Sequence, residues 1–292
     1  MIEWRAARPE EVPGLKELWK ISFGDEDGYI DLFFDTQFRP EETLVALRDH
    51  QTVSMLTGFP MQVCLPDGAE YSASYIYALC THPAFRSGGI ARDLLSCAAD
   101  YFQENGKALL LIKPGAPGLY AYFQKQGFAG GFPLSEVFVT GEDLGGWEPE
   151  GSLDPAEPEA YCARREAILK SRLHVKCDRR TAAHQKELSR RSGADLYFLR
   201  VNGAVGCAAA EYALPGHLVV KELLLPGMSW RTSFQLLARH LPAQDYRVRL
   251  PAFESEITES RREDFFLIKY FFSGQKAKIQ PYMPGYPGFA FD

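Results

Sequence analysis

The residues best suited to chemistry lie in one stretch, Tyr75-Ile76-Tyr77-Ala78-Leu79-Cys80-Thr81-His82-Pro83-Ala84-Phe85-Arg86-Ser87-Gly88-Gly89-Ile90-Ala91. An apolar, strand-like run feeds a glycine-rich turn, and the turn opens a helix. Such a junction can bind an anion. The first N–H groups of a helix have no intrahelical partner, and the aligned peptide dipoles put partial positive charge there. A pyrophosphate can be held by backbone alone at that place. Gly88 and Gly89 carry no side chain to keep a phosphate away. Arg86 can add a charge-assisted contact or tether the loop. On these residues alone, an ordinary strand–helix turn has an equal claim. Two familiar nucleotide motifs are absent from the sequence. Without G-x-x-x-x-G-K-[ST] a P-loop NTPase is excluded, and without G-x-G-x-x-G after the first strand a Rossmann site is disfavoured.

Other reactive residue types give weaker signals. The six cysteines (Cys64, Cys80, Cys97, Cys162, Cys177 and Cys207) are scattered. None sit two or four apart, and no histidine pair lies near them at metal-ligand spacing. Free thiols are expected, with no metal and no disulfide framework. Cys80 has no histidine–acid pair that can be tied to it and reads as a packing thiol. His82 reads as a structural polar residue beside the turn.

The elements around the turn follow from periodicity. Ile2 to Ala6 alternates like a strand, and Pro9-Glu10-Glu11 opens an amphipathic helix with Val12, Leu15, Leu18, Trp19 and Phe23 at helical spacing. A second helix is predicted from Tyr29 to Phe38. Strands are predicted at Thr43 to Arg48, Val53 to Leu65 and Tyr71 to Thr81. Ala91 to Glu104 is a helix with Leu94, Leu95, Ala98, Ala99 and Phe102 on one face. Ala108 to Ile112 is a continuous apolar run, as in a buried central strand. Leu119 to Gln126 is a short helix closed by Gly127. Phe128 starts another strand, with Glu136 to Thr140 as its antiparallel partner.

The chain has 292 residues, of which 46% are apolar and 24% charged, enough for two packed domains. The Gly-, Pro- and acid-rich stretch 141–158 reads as the linker. After it, Pro158 to Ser171 and Thr181 to Ser192 read as helices. Leu196 to Val201 and Ala204 to Tyr212 form a hairpin around Asn202-Gly203. Leu218 to Leu225 is a strand, Ser229 to His240 a helix and Tyr246 to Leu250 a strand, echoing the order of the first half. Residues 1–150 carry 22 acidic against 11 basic side chains, and residues 151–292 carry 16 against 21. An acidic first half draws cationic small molecules better than nucleic acid. No apolar run is long enough to span a membrane, and Met1-Ile2-Glu3-Trp4-Arg5 does not read as a signal peptide, so a cytoplasmic protein is expected. The aromatic tail from Pro281 to Asp292 should pack against the fold, since a dangling end would wet its rings.

Arg86, Gly89 and Ala91 match the Arg/Gln-x-x-Gly-x-Gly/Ala signature of the GNAT superfamily of N-acetyltransferases. A strand ending in Thr-His-Pro, a long helix, an apolar strand and a short helix ending in Gly127-Phe128 extend the resemblance over about residues 1–140. The tandem order resembles the enhanced-intracellular-survival (Eis-like) branch, here without its sterol-carrier-like third domain. The resemblance implies an α/β (α+β) fold of two tandem GNAT-like domains, each a mixed, mostly antiparallel sheet flanked by helices. Residues 1–143 would form the acyl-CoA-binding catalytic domain. Residues 155–292 would form a degenerate copy that helps to form the acceptor pocket.

The resemblance also implies roles. Leu79, Cys80 and Thr81 would offer backbone groups to pantetheine and the thioester carbonyl. The turn Arg86, Ser87, Gly88, Gly89, Ile90, Ala91 and Arg92 would cradle the pyrophosphate, and Pro114 to Gly118 would flank the pantetheine arm. Acetyl-CoA would be the co-substrate. The proton donor to the leaving thiolate is usually a tyrosine four residues before the glycine that ends the short helix. Here that position is Phe123. Tyr120 and Tyr122 are the nearby candidates, and Tyr120 is favoured because it lies three residues before Phe123, on roughly the same helical face. The Asp292 carboxylates are a candidate general base. Asp25, Glu26 and Asp27, between the first two helices, are candidates to hold a cationic amine, against the alternative of a solvated loop.

The leading expectation is an acetyl-CoA-dependent N-acetyltransferase acting on a small primary amine by direct attack. A homo-oligomer is compatible with it, and no membrane or nucleic-acid partner is expected. Two alternatives stay open: a non-catalytic acyl-CoA-binding regulatory or interaction protein, and an aminoacyl-tRNA-dependent transferase.

Overall fold

In a computed structural model, residues 2–144, 150–253, 260–289 and 291 are described. The chain runs through β1 (Ile2–Ala6), α1 (Val12–Phe23), α2 (Asp27–Thr36), β2 (Thr43–Arg48), β3 (Gln51–Cys64), β4 (Glu70–Thr81), α3 (Ile90–Glu104), β5 (Leu109–Ile112), α4 (Pro117–Lys125) and β6 (Ala129–Thr140). It continues through β7 (Ser152–Pro155), α5 (Pro158–Leu169), β8 (His174–Val175), α6 (Arg179–Ser192), β9 (Leu196–Val201), β10 (Ala204–Leu214), β11 (His217–Leu224), α7 (Trp230–His240), β12 (Asp245–Pro251), β13 (Arg261–Tyr270) and α8 (Ser273–Ile279). No described helix is long and apolar enough to cross a membrane.

Two compact units emerge, and they are discontinuous in sequence. The first joins Met1–Val63, Glu70–Gly130 and Phe266–Pro281; the second joins Cys64–Ala69, Gly131–Phe265 and Tyr282–Asp292. The border drawn in sequence at 143 and 155 is linear, whereas these units follow spatial contacts.

In the first unit the strand order is β1-β2-β3-β4-β5-β13. β5 is buried at all four positions, Leu109 to Ile112, because it has strand neighbours on both edges and helices to cover it. Its neighbour β4 runs parallel to it, from Ala73↔Leu109 to Ile76↔Ile112. Parallel strands need a crossover, and α3 supplies it. Leu94, Leu95, Ala98, Ala99 and Phe102 repeat at helical spacing and bury one face of α3 against the sheet. The antiparallel partner of β5 on its other side is the end of β13, Leu267 to Tyr270.

In the second unit the order is β6-β12-β11-β10-β9-β7. β11 and β12 are parallel and joined by α7, repeating the β4–α3–β5 arrangement. The Asn202-Gly203 hairpin forms with φ +49° and +80°, the left-handed pair that a tight two-residue turn requires. The aromatic tail packs inside this unit: Tyr286, Phe289 and Phe291 are buried.

One element differs from the sequence reading. Residues 129–140 form a single strand, β6, and not two paired strands. Gly130-Gly131 and Pro133 read as a break, but the backbone stays extended through them. β6 pairs with β12 from Leu134↔Pro251 to Thr140↔Asp245, so its partner comes from more than a hundred residues away. β7, β8, β13 and α8 were not predicted from the sequence either; the β13 partner, β5, is equally remote.

The β6–β12 pair also carries a buried charge cluster. Arg247 donates to both Glu136 oxygens at 2.8 and 2.9 Å, and Arg249 Nε adds a third bond at 3.0 Å. Burial works to raise the Glu136 carboxyl, but the two guanidiniums outweigh it and hold it below its ordinary 4.5. A depressed carboxyl contributes stability above its unfolded value and loses it as pH falls through the folded one. Replacing Glu136 by Gln should therefore cost about 3 kcal/mol at neutral pH. In thermal melts the gap between wild type and Glu136→Gln should close as the pH drops below 4.5. A gap that stays constant into acid would contradict the assignment.

Candidate active site

The site begins where β4 outlasts its partner. The β4–β5 ladder stops at Ile76↔Ile112, where β5 ends, while β4 continues to Thr81. Two residues past the last pair, Ala78 takes φ +48°. A non-glycine residue in that region costs about 1 kcal/mol or more, so neighbouring structure must hold it there. The far edge of the strand end is anchored to β3. Ser54 Oγ donates to the Cys80 carbonyl at 2.6 Å, which leaves it to accept from Thr81 Oγ1 at 2.9 Å. The His82 N–H donates to the Val53 carbonyl at 2.8 Å. Leu79, Cys80 and Thr81 therefore have no ladder partner from β5, and all three line a cavity.

The turn to α3 is held by its own residues. Pro83–Phe85 is a 3-10 turn whose first free donor, the Ala84 N–H, goes to His82 Nδ1 at 3.2 Å. Arg86 Nε donates back to the Thr81 carbonyl at 3.0 Å, so the tethering alternative for Arg86 is realised. Ser87 and Gly89 take φ +66° and +82°. Gly89 is the N-cap of α3, and no side chain caps this helix. The first-turn N–H groups of a fifteen-residue helix are thus left to whatever lies in front of them. A Cβ on Gly89 would approach only the movable Arg92 guanidinium, so the positive φ is what demands glycine there.

The cavity in front of this helix end has a volume of about 530 Å³, within the usual range for small-ligand sites. β4 contributes Leu79 to Thr81, and the turn contributes Phe85 to Ser87 and Gly89 to Arg92. α1 adds Ser22 and Phe23, and α4 adds Leu119, Tyr122 and Phe123. The described lining holds two arginines and no carboxylate. One end is therefore suited to anionic phosphate and the other to an apolar arm.

The two tyrosines part company here. Tyr122 lines the cavity beside Phe123. Its hydroxyl is buried and has no hydrogen-bond partner among the described residues. Burial raises its pKa, with Arg92 opposing, so Tyr122 stays protonated at neutral pH. Tyr120 packs against the core and is not part of the lining. One-residue helical neighbours point about 100° apart, yet both Tyr122 and Phe123 line the cavity, together with Leu119 nearer the start of α4. Pro114 to Gly118 do not line it; the wall on that side starts at Leu119.

The acidic candidates stand apart from this cavity. Asp25 accepts from Trp19 Nε1 at 2.7 Å, and Asp27 is bridged to Lys20 at 2.7 Å. Glu26 is the exposed N-cap residue of α2. None of the three lines the cavity. Asp292 lies outside the described residues. Ser22, Phe23, Phe85 and Leu119 were not singled out from the sequence. Phe23 fits the helical spacing of a core residue, yet 48% of it is exposed at the C-terminal end of α1. An exposed aromatic just before Gly24 was the available signal.

A family profile described as an acetyltransferase (GNAT) domain matches residues 3–128. The N-terminal part of this chain is a GNAT acetyltransferase domain. Known structures share the fold over 92% of the chain. A probable N-acyltransferase from Enterococcus faecalis V583 is 14% identical, with 73% of its own chain covered and a TM-score of 0.68. A GCN5-related N-acetyltransferase from Anabaena variabilis is 12% identical, with 72% covered and a TM-score of 0.70. Eis1 from Mycobacterium abscessus is 10% identical, with 73% covered and a TM-score of 0.64. No curated protein matches the sequence. The GNAT family and the shared fold support acyl transfer as the reaction class.

Cys80 lines the cavity, but its thiol is buried. Burial pushes the thiol up to about 11. At pH 8 about one molecule in a thousand would carry the thiolate. Iodoacetamide at that pH should label the partly exposed Cys97 well before Cys80, as read by peptide mass spectrometry. Rapid Cys80 labelling would show that the thiol is not buried.

Proposed function

We propose that this GNAT protein transfers an acetyl group from acetyl-CoA to a primary amine by direct attack. The observation that carries the reading is the meeting, around one cavity, of a β4 end beyond its β5 ladder and an α3 start without a side-chain cap. The α3 amides, with Arg86 and Arg92 nearby, suit the diphosphate. Leu79 to Thr81 suit the amide-rich pantetheine arm, which can hydrogen-bond as an extra strand.

The chemistry asks three things of the chain. The amine must be neutral when it attacks the thioester carbon, so its proton goes to a carboxylate or a water chain. The carbonyl oxygen gains charge as the C–N bond forms, and the Cys80 or Thr81 N–H is the donor for it. As the C–S bond breaks, the sulfur takes the electron pair, and Tyr122 gives it a proton. Tyr122 is preferred to Tyr120 because it lines the cavity and its buried hydroxyl has no hydrogen-bond partner among the described residues. A cationic acceptor is favoured by the acidic balance of residues 1–150. Asp25, Glu26 and Asp27, the proposed contacts for it, would have to act from outside the cavity lining.

Phe123 at the usual tyrosine position supports a second reading, a protein that binds acyl-CoA without turning it over. Thiol release with a panel of amines separates the two. Release under an amine marks the enzyme; CoA binding with no release from any amine favours the binding protein.

For the enzyme, Tyr122→Phe should lower kcat about a hundredfold with the KM for acetyl-CoA nearly unchanged, while Tyr120→Phe should stay near wild type. The reverse pattern would move the proton donor to Tyr120. Gly89→Val should weaken acetyl-CoA binding at least tenfold in calorimetry, a loss of about 1.4 kcal/mol, and should also lower thermal stability, because valine is strained at φ +82°. Unchanged affinity would remove the α3 amides from the site.

A further inference from the structure

A buried corner of the second unit holds side chains that acyl transfer does not use. Cys64 ends β3, Glu166 lies on α5 and His174 on β8. The Cys64 sulfur, a Glu166 carboxylate oxygen and a His174 ring nitrogen all lie within 4.8 Å of one another. Cys64 and His174 are buried, and the Glu166 side chain is 27% exposed.

The hydrogen bonds of His174 pose a problem of charge. Nδ1 is 2.8 Å from the Arg172 carbonyl oxygen, and Nε2 is 2.9 Å from Glu166 Oε2. Both partners are acceptors. A neutral imidazole has one N–H, so one of these contacts would set a lone pair against a lone pair. With Nδ1–H donating to the carbonyl, something positive must lie between Nε2 and the carboxylate. That is either a second proton or a metal ion. The Cys64 sulfur, within 4.8 Å of both atoms, completes a three-donor set of the kind that a metal ion takes.

We infer that Cys64, Glu166 and His174 form a site for a borderline-soft divalent cation of the zinc class. The donor set of sulfur, imidazole nitrogen and carboxylate oxygen matches that chemistry. Bonds of about 2.0 to 2.3 Å in a tetrahedron put ligand atoms roughly 3.2 to 3.7 Å apart. The 2.9 Å N–O separation is already close to that, and a closure of about 1 Å by side-chain rotation would bring the widest pair in. The supporting contacts that such sites use are in place. The Arg172 carbonyl fixes the His174 tautomer, and Arg165 Nη1 holds the other Glu166 oxygen at 3.2 Å. The exposed side of Glu166 leaves the fourth position to water. Binding would release the Cys64 thiol proton and cross-link three elements, a structural role. Ligands at 64, 166 and 174 share no local spacing motif, so sequence could not show them.

The test uses the full chain, stripped with a chelator and titrated with Zn(II) by calorimetry and with Co(II) by absorption. One equivalent of each should bind. Cobalt should give a thiolate charge-transfer band in the near ultraviolet and the intense visible bands of tetrahedral coordination. Cys64→Ser should lose the charge-transfer band, and His174→Gln should weaken zinc binding at least tenfold. Cys162→Ser should keep the spectrum, although its sulfur lies only 3.8 Å from that of Cys177. Failure of the wild-type protein to bind zinc, or cobalt bands without charge transfer, would overturn the site. The wild-type spectrum decides this even if a variant does not fold. Loss of the band in Cys162→Ser with retention in Cys64→Ser would overturn the ligand set.

Discussion

The first unit depends on β4 leaving its parallel partner while still tied to β3. A strand with ladders on both edges has no backbone groups to spare, and a strand with a free end must satisfy them elsewhere. Here the part of β4 beyond the β5 ladder is short and ends at Thr81, and Ala78 within it takes a positive φ. Ser54 and Arg86 spend hydrogen bonds on keeping Cys80 and Thr81 in place. The same turn leaves α3 without a side-chain cap, so a strand end beyond its parallel partner and an uncapped helix start line one cavity.

Side chains at this cavity mostly supply shape and polarity. Phe23, Leu119 and Phe123 make an apolar wall, and the arginines mark the other end. Backbone recognition of this sort tolerates wide sequence change, provided that glycine is kept where φ is positive. That is consistent with structural relatives at 10 to 14% identity sharing the fold over 92% of the chain.

The second unit is built differently. Its interior carries charge. Glu222 is fully buried and accepts from Tyr161 at 2.6 Å, from Tyr286 at 3.0 Å and from Arg165 Nε at 2.9 Å. Buried ion pairs gain little net stability over apolar packing, but breaking one partner is costly. Such a cluster therefore fixes arrangement more than it adds stability. It sets Tyr286 of the tail against α5 and β11, and the Gly288 backbone comes so close to Arg165 that a side chain there would clash.

Local pattern in the sequence determined the core of this picture. The β4–turn–α3 junction, the α3 stripe, the buried β5 run and the Asn202-Gly203 hairpin are properties of neighbouring residues, and each was legible. So was the resemblance carried by Arg86, Gly89 and Ala91. Tertiary structure decided the rest. It showed that Tyr122, and not Tyr120, lines the cavity, which a helical repeat cannot settle without knowing where the cavity lies. It made residues 129–140 one strand paired with β12, and brought the end of β13 beside β5. It also gathered Cys64, Glu166 and His174. The physical reason is common to all of these: periodicity and turn chemistry act over a few residues, whereas strand partners and clustered side chains are chosen by packing across the whole chain.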